Sequence, residues 1–84
     1  MITPTVNLNG TSGKELFQLN LAVVEHLQDT INALSKAYPN ARDYQTAPMG
    51  DHQKAVKEHE KRMQHLQYVY SEMQTILEAM GDYA

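Results

Sequence analysis

The sequence lacks cysteine and tryptophan, and its 84 residues include one phenylalanine, three prolines and four glycines. Without cysteine, neither a disulfide nor a thiolate metal site can stabilise the fold. No apolar run approaches the roughly 20 residues that a membrane-spanning helix needs, so we expect no membrane partner. The start of the chain lacks a basic segment followed by an apolar one, and we expect no signal peptide. Together these absences favour a protein of the cytoplasm.

The composition is that of a folded protein: 42% of the residues are hydrophobic and 20% are charged. A chain of this length forms one small domain, residues 1–84, in which the buried fraction of the surface is low and a monomer is marginally stable. The net charge of −3 argues against a general nucleic-acid binder. We therefore expect neither DNA nor RNA as a partner.

The charges are unevenly distributed along the chain. Six of the seven basic residues lie between positions 36 and 62 against four acids, which leaves that stretch at +2 and the remainder at −5. Alternating charges on a solvated helix face explain this pattern without a ligand. An anion site in the middle of the chain explains it equally well.

Two helices are predicted, preceded by an extended arm, residues 1–11. Ser12 stands three residues before Glu15, the spacing of a reciprocal capping arrangement, although Thr11 is an alternative cap. The first helix is expected over 12–37, because apolar residues recur at helical spacing until Pro39 disfavours helix in the residue before it. Its stripe comprises Leu16, Phe17, Val23, Val24, Leu27, Ile31, Leu34 and Tyr38.

A loop over 38–50 precedes the second helix, expected over 51–80, with Asp51 as its cap and Gly81 as its stop. Such a loop is longer than a helical hairpin requires, which is typical of functional or flexible segments. The second helix carries an unbroken heptad pattern with further apolar positions on its flank. The pattern comprises Val56, His59, Met63, Leu66, Tyr70, Met73, Leu77 and Met80, with Val69 and Ile76 beside it.

Two helices with such broad stripes cover only part of each other. The sequence therefore predicts an all-α fold, an antiparallel two-helix hairpin with an N-terminal arm, that assembles into a helical-bundle homo-oligomer. A four-helix bundle made from two hairpins is the simplest closure, and two-fold symmetry is the commonest. Asn20, a polar break in the first helix, is expected to fix the register of this bundle.

Two polar residues interrupt the stripe of the second helix near its start. His59 occupies a core position and Arg62 a flanking position, so both are expected on the buried face, where each needs a polar or anionic companion. For His59 the alternative is a core imidazole that bonds a backbone carbonyl. For Arg62 the alternative is an ion pair with Glu58, four residues earlier.

The loop adds Arg42 and Tyr44, which a hairpin places beside this turn of the second helix. We expect Arg42 and Arg62 to hold phosphate or ribose oxygens, Tyr44 to stack a base, and His59 to donate or accept a hydrogen bond. The alternative is an aspartate turn in which Tyr44 packs over a helix end.

A second polar cluster precedes the first helix, where Asn9, Thr11 and Ser12 flank Gly10. Free N–H groups and hydroxyls at a helix start can hold an anion, although plain capping explains the same residues. About 26 helical residues separate this cluster from the loop by nearly 40 Å. If both serve one ligand, an antiparallel neighbour must supply Asn9, Thr11 and Ser12.

Several kinds of chemistry find no support in the sequence. No two histidines share a helical face at the spacing of metal ligands, so we expect no metal. No phosphate-binding glycine loop or nucleophile elbow is present, and one histidine among carboxylates is a weak catalytic signal. We expect neither catalysis nor a cofactor.

The motifs Asn-Gly-Thr-Ser at 9–12, Pro-Asn-Ala-Arg-Asp-Tyr at 39–44, and Glu-His with Arg62 at 58–62 resemble those of a group of short phage and prophage proteins. In size and build the chain is also similar in kind to phage "sponge" proteins, which bind and hold nucleotide immune signals such as cyclic oligonucleotides or ADP-ribose derivatives. This resemblance implies a non-catalytic anti-defence protein in the cytoplasm of an infected bacterium. The alternatives are a helical module that blocks a host protein, and a structural assembly protein.

Overall fold

The computed structural model describes all 84 residues and confirms the all-helical hairpin. Helix α1 spans Gly13–Lys36 and α2 spans Asp51–Ala79, and they pack against each other in antiparallel orientation. A 3-10 helix, Ala41–Tyr44, lies in the loop, and a second one, Gly81–Tyr83, follows α2. Neither long helix combines the length and the apolar composition needed to cross a lipid bilayer.

Residues 1–12 form the arm, which contains no helix or strand and is exposed along its whole length. A turn interrupts it, because the amide of Gly10 donates to the carbonyl of Asn7 and the Asn7 side chain accepts from the amide of Asn9. The side chains of Ile2 and Leu8 find no cover in the chain and are 93% and 104% exposed.

The two helices begin in different ways. Ser12 caps α1 as expected, with its Oγ accepting from the amide of Glu15 at 3.2 Å, although the reciprocal bond from the Glu15 carboxylate does not form. The prediction for α2 is wrong: Gly50 is the cap residue, and Asp51 is the first helical residue without a capping bond. Gly50 has φ of 91°, a left-handed conformation that a side chain would strain.

The end of α2 also differs from the prediction that Gly81 stops this helix. Helix α2 ends at Ala79 with Met80 as its C-cap, and Gly81 does not adopt a positive φ. The chain instead tightens into the 3-10 turn Gly81–Tyr83, which packs against the start of α1.

The contact between the two helices buries few side chains completely. Only Val24 and Met80 are buried hydrophobic residues, and most of the predicted stripe is half-buried. Asn20 contacts both helices near the open end of the hairpin, which is the end where α1 begins and α2 ends. Its Nδ2 donates to the carbonyl of Leu16 at 2.8 Å and approaches Sδ of Met80 at 3.9 Å. This contact joins α1 to the C-cap residue of α2.

The molecule is elongated, measuring 61 × 20 × 18 Å with a radius of gyration of 18.4 Å. A compact chain of this length has a radius of gyration of about 12 Å. The accessible surface is 6475 Å², whereas a folded monomer of this mass exposes about 5,000 Å². A single hairpin thus exposes more surface than a compact monomer of its mass, and its exposed side chains include the apolar residues Leu19, Val23 and Val69.

The close approach of Tyr83 to Gly13 provides a test of what stabilises the open end of the hairpin. A Cβ at Gly13 would lie 2.2 Å from Cδ1 of Tyr83, so Gly13→Ala must displace this ring and the C-terminal turn. We expect a loss of about 1–3 kcal/mol in the free energy of unfolding, measured by urea denaturation. Gly81→Ala, with nothing within 4 Å of its Cβ, is the matched control.

The effect of the clash with Tyr83 on stability can be separated from the effect of alanine on the helix itself. Alanine is favoured over glycine in a helix by about 1 kcal/mol, so in a Tyr83→Ala background Gly13→Ala should become neutral or stabilising. An equal loss in both backgrounds would contradict the proposed clash.

Candidate functional site

The largest cavity lies at the loop end of the hairpin, between the loop and α2, and has a volume of about 610 Å³. This is within the range of small-molecule sites. Its polar and aromatic side chains come from the loop turn and from successive turns of α2: Tyr44, Asp51, Lys54, Glu58, His59 and Arg62. Three predicted ligand-binding residues, Tyr44, His59 and Arg62, therefore line one space.

Helical periodicity explains why α2 supplies most of this set. Asp51, Lys54, Glu58 and Arg62 follow one another at intervals of three or four residues, which places them on one side of the helix. Lys54 was not among the residues predicted to bind a ligand. It could have been found by stepping back from Arg62 in helical intervals of four, through Glu58 to Lys54.

The loop is fixed to α2 by local contacts. Asn40 caps the loop turn, with Oδ1 accepting from the amide of Arg42 at 3.0 Å. The imidazole Nε2 of His52 lies 3.1 Å from the carbonyl oxygen of Pro39. The Tyr44 ring tilts against that of His52, with centroids 5.6 Å apart. Tyr44 thus packs over the start of α2, as the alternative interpretation proposed, and also faces the cavity.

His59 is the most buried side chain of the site, at 5% exposure, and the ring of Tyr38 meets it edge to face at 5.4 Å. It forms no hydrogen bond within the chain, so the alternative of a carbonyl-bonded core histidine is not what the structure shows. No buried side-chain nitrogen or oxygen lacks a partner, and the His59 nitrogens are accordingly not sealed off. His59 lines both the cavity and a groove of about 300 Å³ beside Tyr38.

Arg62 does not lie on a buried face. Its side chain is 62% exposed and Nη2 lies 3.4 Å from Oε2 of Glu58, so the predicted alternative, an i,i+4 pair, is present. An exposed pair of this kind contributes only a few tenths of a kcal/mol. The guanidinium is therefore held loosely at the edge of the cavity, where a stronger anionic partner can take it.

The electrostatic character of the cavity is balanced. Lys54 and Arg62 contribute two positive charges, and Asp51 and Glu58 contribute two negative charges. Arg42, expected in the same cluster, is exposed and does not line the cavity. The structure thus brings together Tyr44, His59 and Arg62, and leaves Arg42 exposed and outside the cavity lining.

Asn9, Thr11 and Ser12 lie at the other end of the molecule, and all three are exposed. The 24 residues of α1 span about 36 Å, so these side chains cannot reach the cavity of their own chain. The hydroxyl of Ser12 is used for capping α1. As expected from the sequence, only a second copy can unite the two clusters.

Nowhere in the chain do three His, Cys, Asp or Glu side chains come close enough to hold a metal ion. The chain matches no family model, no curated protein and no solved structure. The case for a function accordingly rests on the residues themselves.

The environment of His59 gives a prediction on stability. Because His59 has no hydrogen bond within the chain, His59→Leu should change the free energy of unfolding by no more than about 1 kcal/mol, the loss of the contact with Tyr38 being offset by apolar packing. Urea denaturation of both proteins measures this. His59→Ala, which leaves a void, should cost more, and a loss of several kcal/mol in the leucine variant would contradict the structure.

Proposed function

We propose that the protein is a non-catalytic phage anti-defence protein that binds and sequesters a nucleotide-derived immune signal at sites between protomers. It acts as a homo-oligomer, a dimer or a larger assembly, in the cytoplasm of an infected bacterial cell. The ligand is a small phosphorylated nucleotide, either a cyclic oligonucleotide or an ADP-ribose derivative. The observation that carries the proposal is the cavity that contains Tyr44, His59 and Arg62 together.

The chemistry of these side chains suits a nucleotide. Tyr44 offers a flat ring for a base, and a guanidinium binds phosphate oxygens through two parallel hydrogen bonds. Lys54 adds a second cation on the same side of α2, and His59 lines the same cavity. Arg62 exchanges the weak pair with Glu58 for a phosphate, a stronger partner.

The remaining predicted residues complete the site from outside the cavity. Arg42 lies two residues from Tyr44 on the exposed side of the loop turn, where it can close over a bound ligand. Asn9, Thr11 and Ser12 are supplied by a neighbouring copy, since their own chain holds them about 36 Å away. Formation of the oligomer is then a condition of binding.

The test is a thermal-shift screen of the purified protein with cyclic dinucleotides, cyclic trinucleotides, ADP-ribose and cyclic ADP-ribose isomers. A ligand that binds only the folded state raises the melting temperature through linkage. We expect a shift of several degrees with one class and recovery of the intact ligand after denaturation. No shift with any class would contradict the proposal, and a chemically altered ligand would contradict its non-catalytic part.

Removal of one cavity cation tests the site. Arg62→Ala should weaken binding of the ligand found in the screen by about tenfold or more, since it removes a charge-assisted hydrogen bond, as measured by isothermal titration calorimetry. Lys61→Ala is the matched control, because it removes the same charge from an adjacent exposed position outside the cavity. Equal effects of the two variants would show that only overall charge matters.

Mixing two defective variants tests the shared site. Arg42→Ala should abolish ligand binding without changing the oligomer, and Thr11→Val should weaken binding in the same way. In mixed assemblies, a Thr11→Val copy supplies Arg42 to a site whose Thr11 comes from an Arg42→Ala copy, so part of the binding should return. Failure of the mixture to recover any binding would contradict a site between protomers.

A second candidate is a helical protein-binding module that blocks a host protein. It is favoured by the exposed apolar side chains at both tips of the molecule, Leu8 on the arm and Met49 on the loop, each fully exposed. This function predicts capture of a protein partner that depends on Leu8 or Met49, and no heat of binding with any nucleotide.

A further inference from the structure

The arm contains the one place in the chain where a glycine follows an asparagine or an aspartate, the pair Asn9 and Gly10. The side-chain amide carbon of an asparagine can form a five-membered ring with the backbone nitrogen of the next residue. Ring closure releases ammonia, and asparagine is for this reason a thermolabile residue. A following glycine permits the reaction best, because no Cβ hinders the approach and the backbone turns freely.

The structure leaves this pair open to reaction. Asn9 and Gly10 are both exposed and lie in the turn of the arm, outside any helix or strand. The backbone amide of Asn9 donates to Oδ1 of Asn7, but the Asn9 side chain forms no hydrogen bond within the chain. The Gly10 amide donates to the carbonyl of Asn7 at 3.3 Å, which is longer than the usual N–H···O distance of about 2.7–3.2 Å. Water can replace such a bond, so the nitrogen of Gly10 is easily freed.

The other four asparagines each lack one or more of these conditions: Asn7, Asn20, Asn32 and Asn40. Two of them lie inside α1, where the next backbone amide takes part in the hydrogen bonds of the helix. The other two accept a backbone amide through Oδ1, which orients their side chains. Each of the four is followed by leucine or alanine, which carry a Cβ. Reaction is therefore expected at one asparagine of the five.

A change at this pair alters the charge of the arm. Residues 1–13 contain no aspartate, glutamate, lysine or arginine. Replacing the Asn9 amide by a carboxylate makes the net charge one unit more negative than its present −3. The new charge stands three residues before Ser12, in the segment that leads into the free amides at the start of α1. It therefore enters a region where an anion would otherwise be favoured.

We infer that Asn9 is a site of spontaneous deamidation, which converts the uncharged arm into an acidic one. The nitrogen of Gly10 bonds to Cγ of Asn9 while the bond from Cγ to Nδ2 breaks, and Nδ2 leaves as ammonia with the proton of the Gly10 amide. The product is a cyclic succinimide. Water then opens the ring and returns a proton to the Gly10 nitrogen. Addition of water at Cγ gives aspartate, and addition at the backbone carbonyl carbon gives isoaspartate.

The consequence for ligand binding rests on the proposed function. In that function Asn9 of one copy contributes to the nucleotide site of another, so a carboxylate at this position repels the phosphates of the ligand. Aged protein should then bind less nucleotide than freshly made protein. The deamidation itself requires no ligand.

Peptide mapping over time tests the modification. The intact protein is incubated at physiological temperature in mildly alkaline buffer, and trypsin then releases peptide 1–14, which contains both Asn7 and Asn9. We expect this peptide to gain the mass difference between OH and NH2, to separate into aspartate and isoaspartate forms, and to be changed at Asn9. An unchanged Asn9, or an equal rate at Asn7, would overturn the inference.

Gly10→Ala tests the role of the glycine. Its Cβ would lie 3.2 Å from Nδ2 of Asn7, the end of an exposed side chain that can turn aside. The variant should slow deamidation by about tenfold or more, because the Cβ hinders the attacking geometry. Gly81→Ala is the matched control, since nothing lies within 4 Å of its Cβ, and the Asn9 rate should not change. Equal rates in Gly10→Ala and the parent protein would contradict the mechanism.

Incubation in urea tests whether the folded arm leaves Asn9 open. Because Asn9 is exposed and unbonded through its side chain, its rate in the native protein should match its rate in urea. The rate at Asn20, inside α1, should rise on unfolding. A native rate at Asn9 far below the rate in urea would show that the turn protects it and would overturn the inference.

Asn9→Asp reproduces one product and separates the inference from the proposed function. In the screen of cyclic nucleotides and ADP-ribose derivatives, it should give a smaller thermal shift than the parent, equivalent to about tenfold weaker binding. Gln28→Glu, which adds the same charge at an exposed position of α1, should respond as the parent does. An undiminished shift in Asn9→Asp would overturn the effect on the ligand. Deamidation without any response to nucleotides leaves the modification standing and removes the ligand, whereas nucleotide binding with an intact Asn9 does the reverse.

Discussion

The constraint on which the structure depends is that two helices with broad apolar stripes cannot cover each other. Helix α1 packs on α2 along its length, yet only Val24 and Met80 are buried hydrophobic residues. Full burial of so few hydrophobic side chains contributes little against the conformational entropy lost in ordering 84 residues. In the proposed homo-oligomer, further copies remove this uncovered area from water.

The cavity follows from how the hairpin is closed at its loop end. Asn40 caps the loop turn and the left-handed Gly50 redirects the chain into α2, which places Tyr44 against the first turn of that helix. Helical periodicity then repeats polar residues along one side of α2, down to Arg62.

Features set by neighbouring residues were predictable, and features set by the depth of packing were not. The capping by Ser12 depends on a hydroxyl and an amide three residues apart, and the heptad spacing gave both helices. The exposure of Arg62 was missed because its flanking position resembles that of Val69, which is itself exposed in a single hairpin. Asp51 was preferred as a cap because spacing does not reveal the positive φ of Gly50. The outward position of Arg42 depends on the loop turn, which no periodic pattern predicts.

The central claim is that this chain folds as part of an assembly. The most direct measurement is the mass of the protein in solution by sedimentation equilibrium over a wide range of concentrations, with circular dichroism recorded on the same samples. The account predicts a mass that is a multiple of 9.5 kDa, with helix content that falls as dilution dissociates the copies. A fully helical monomer of 9.5 kDa, cooperative in its unfolding and indifferent to dilution, would contradict it.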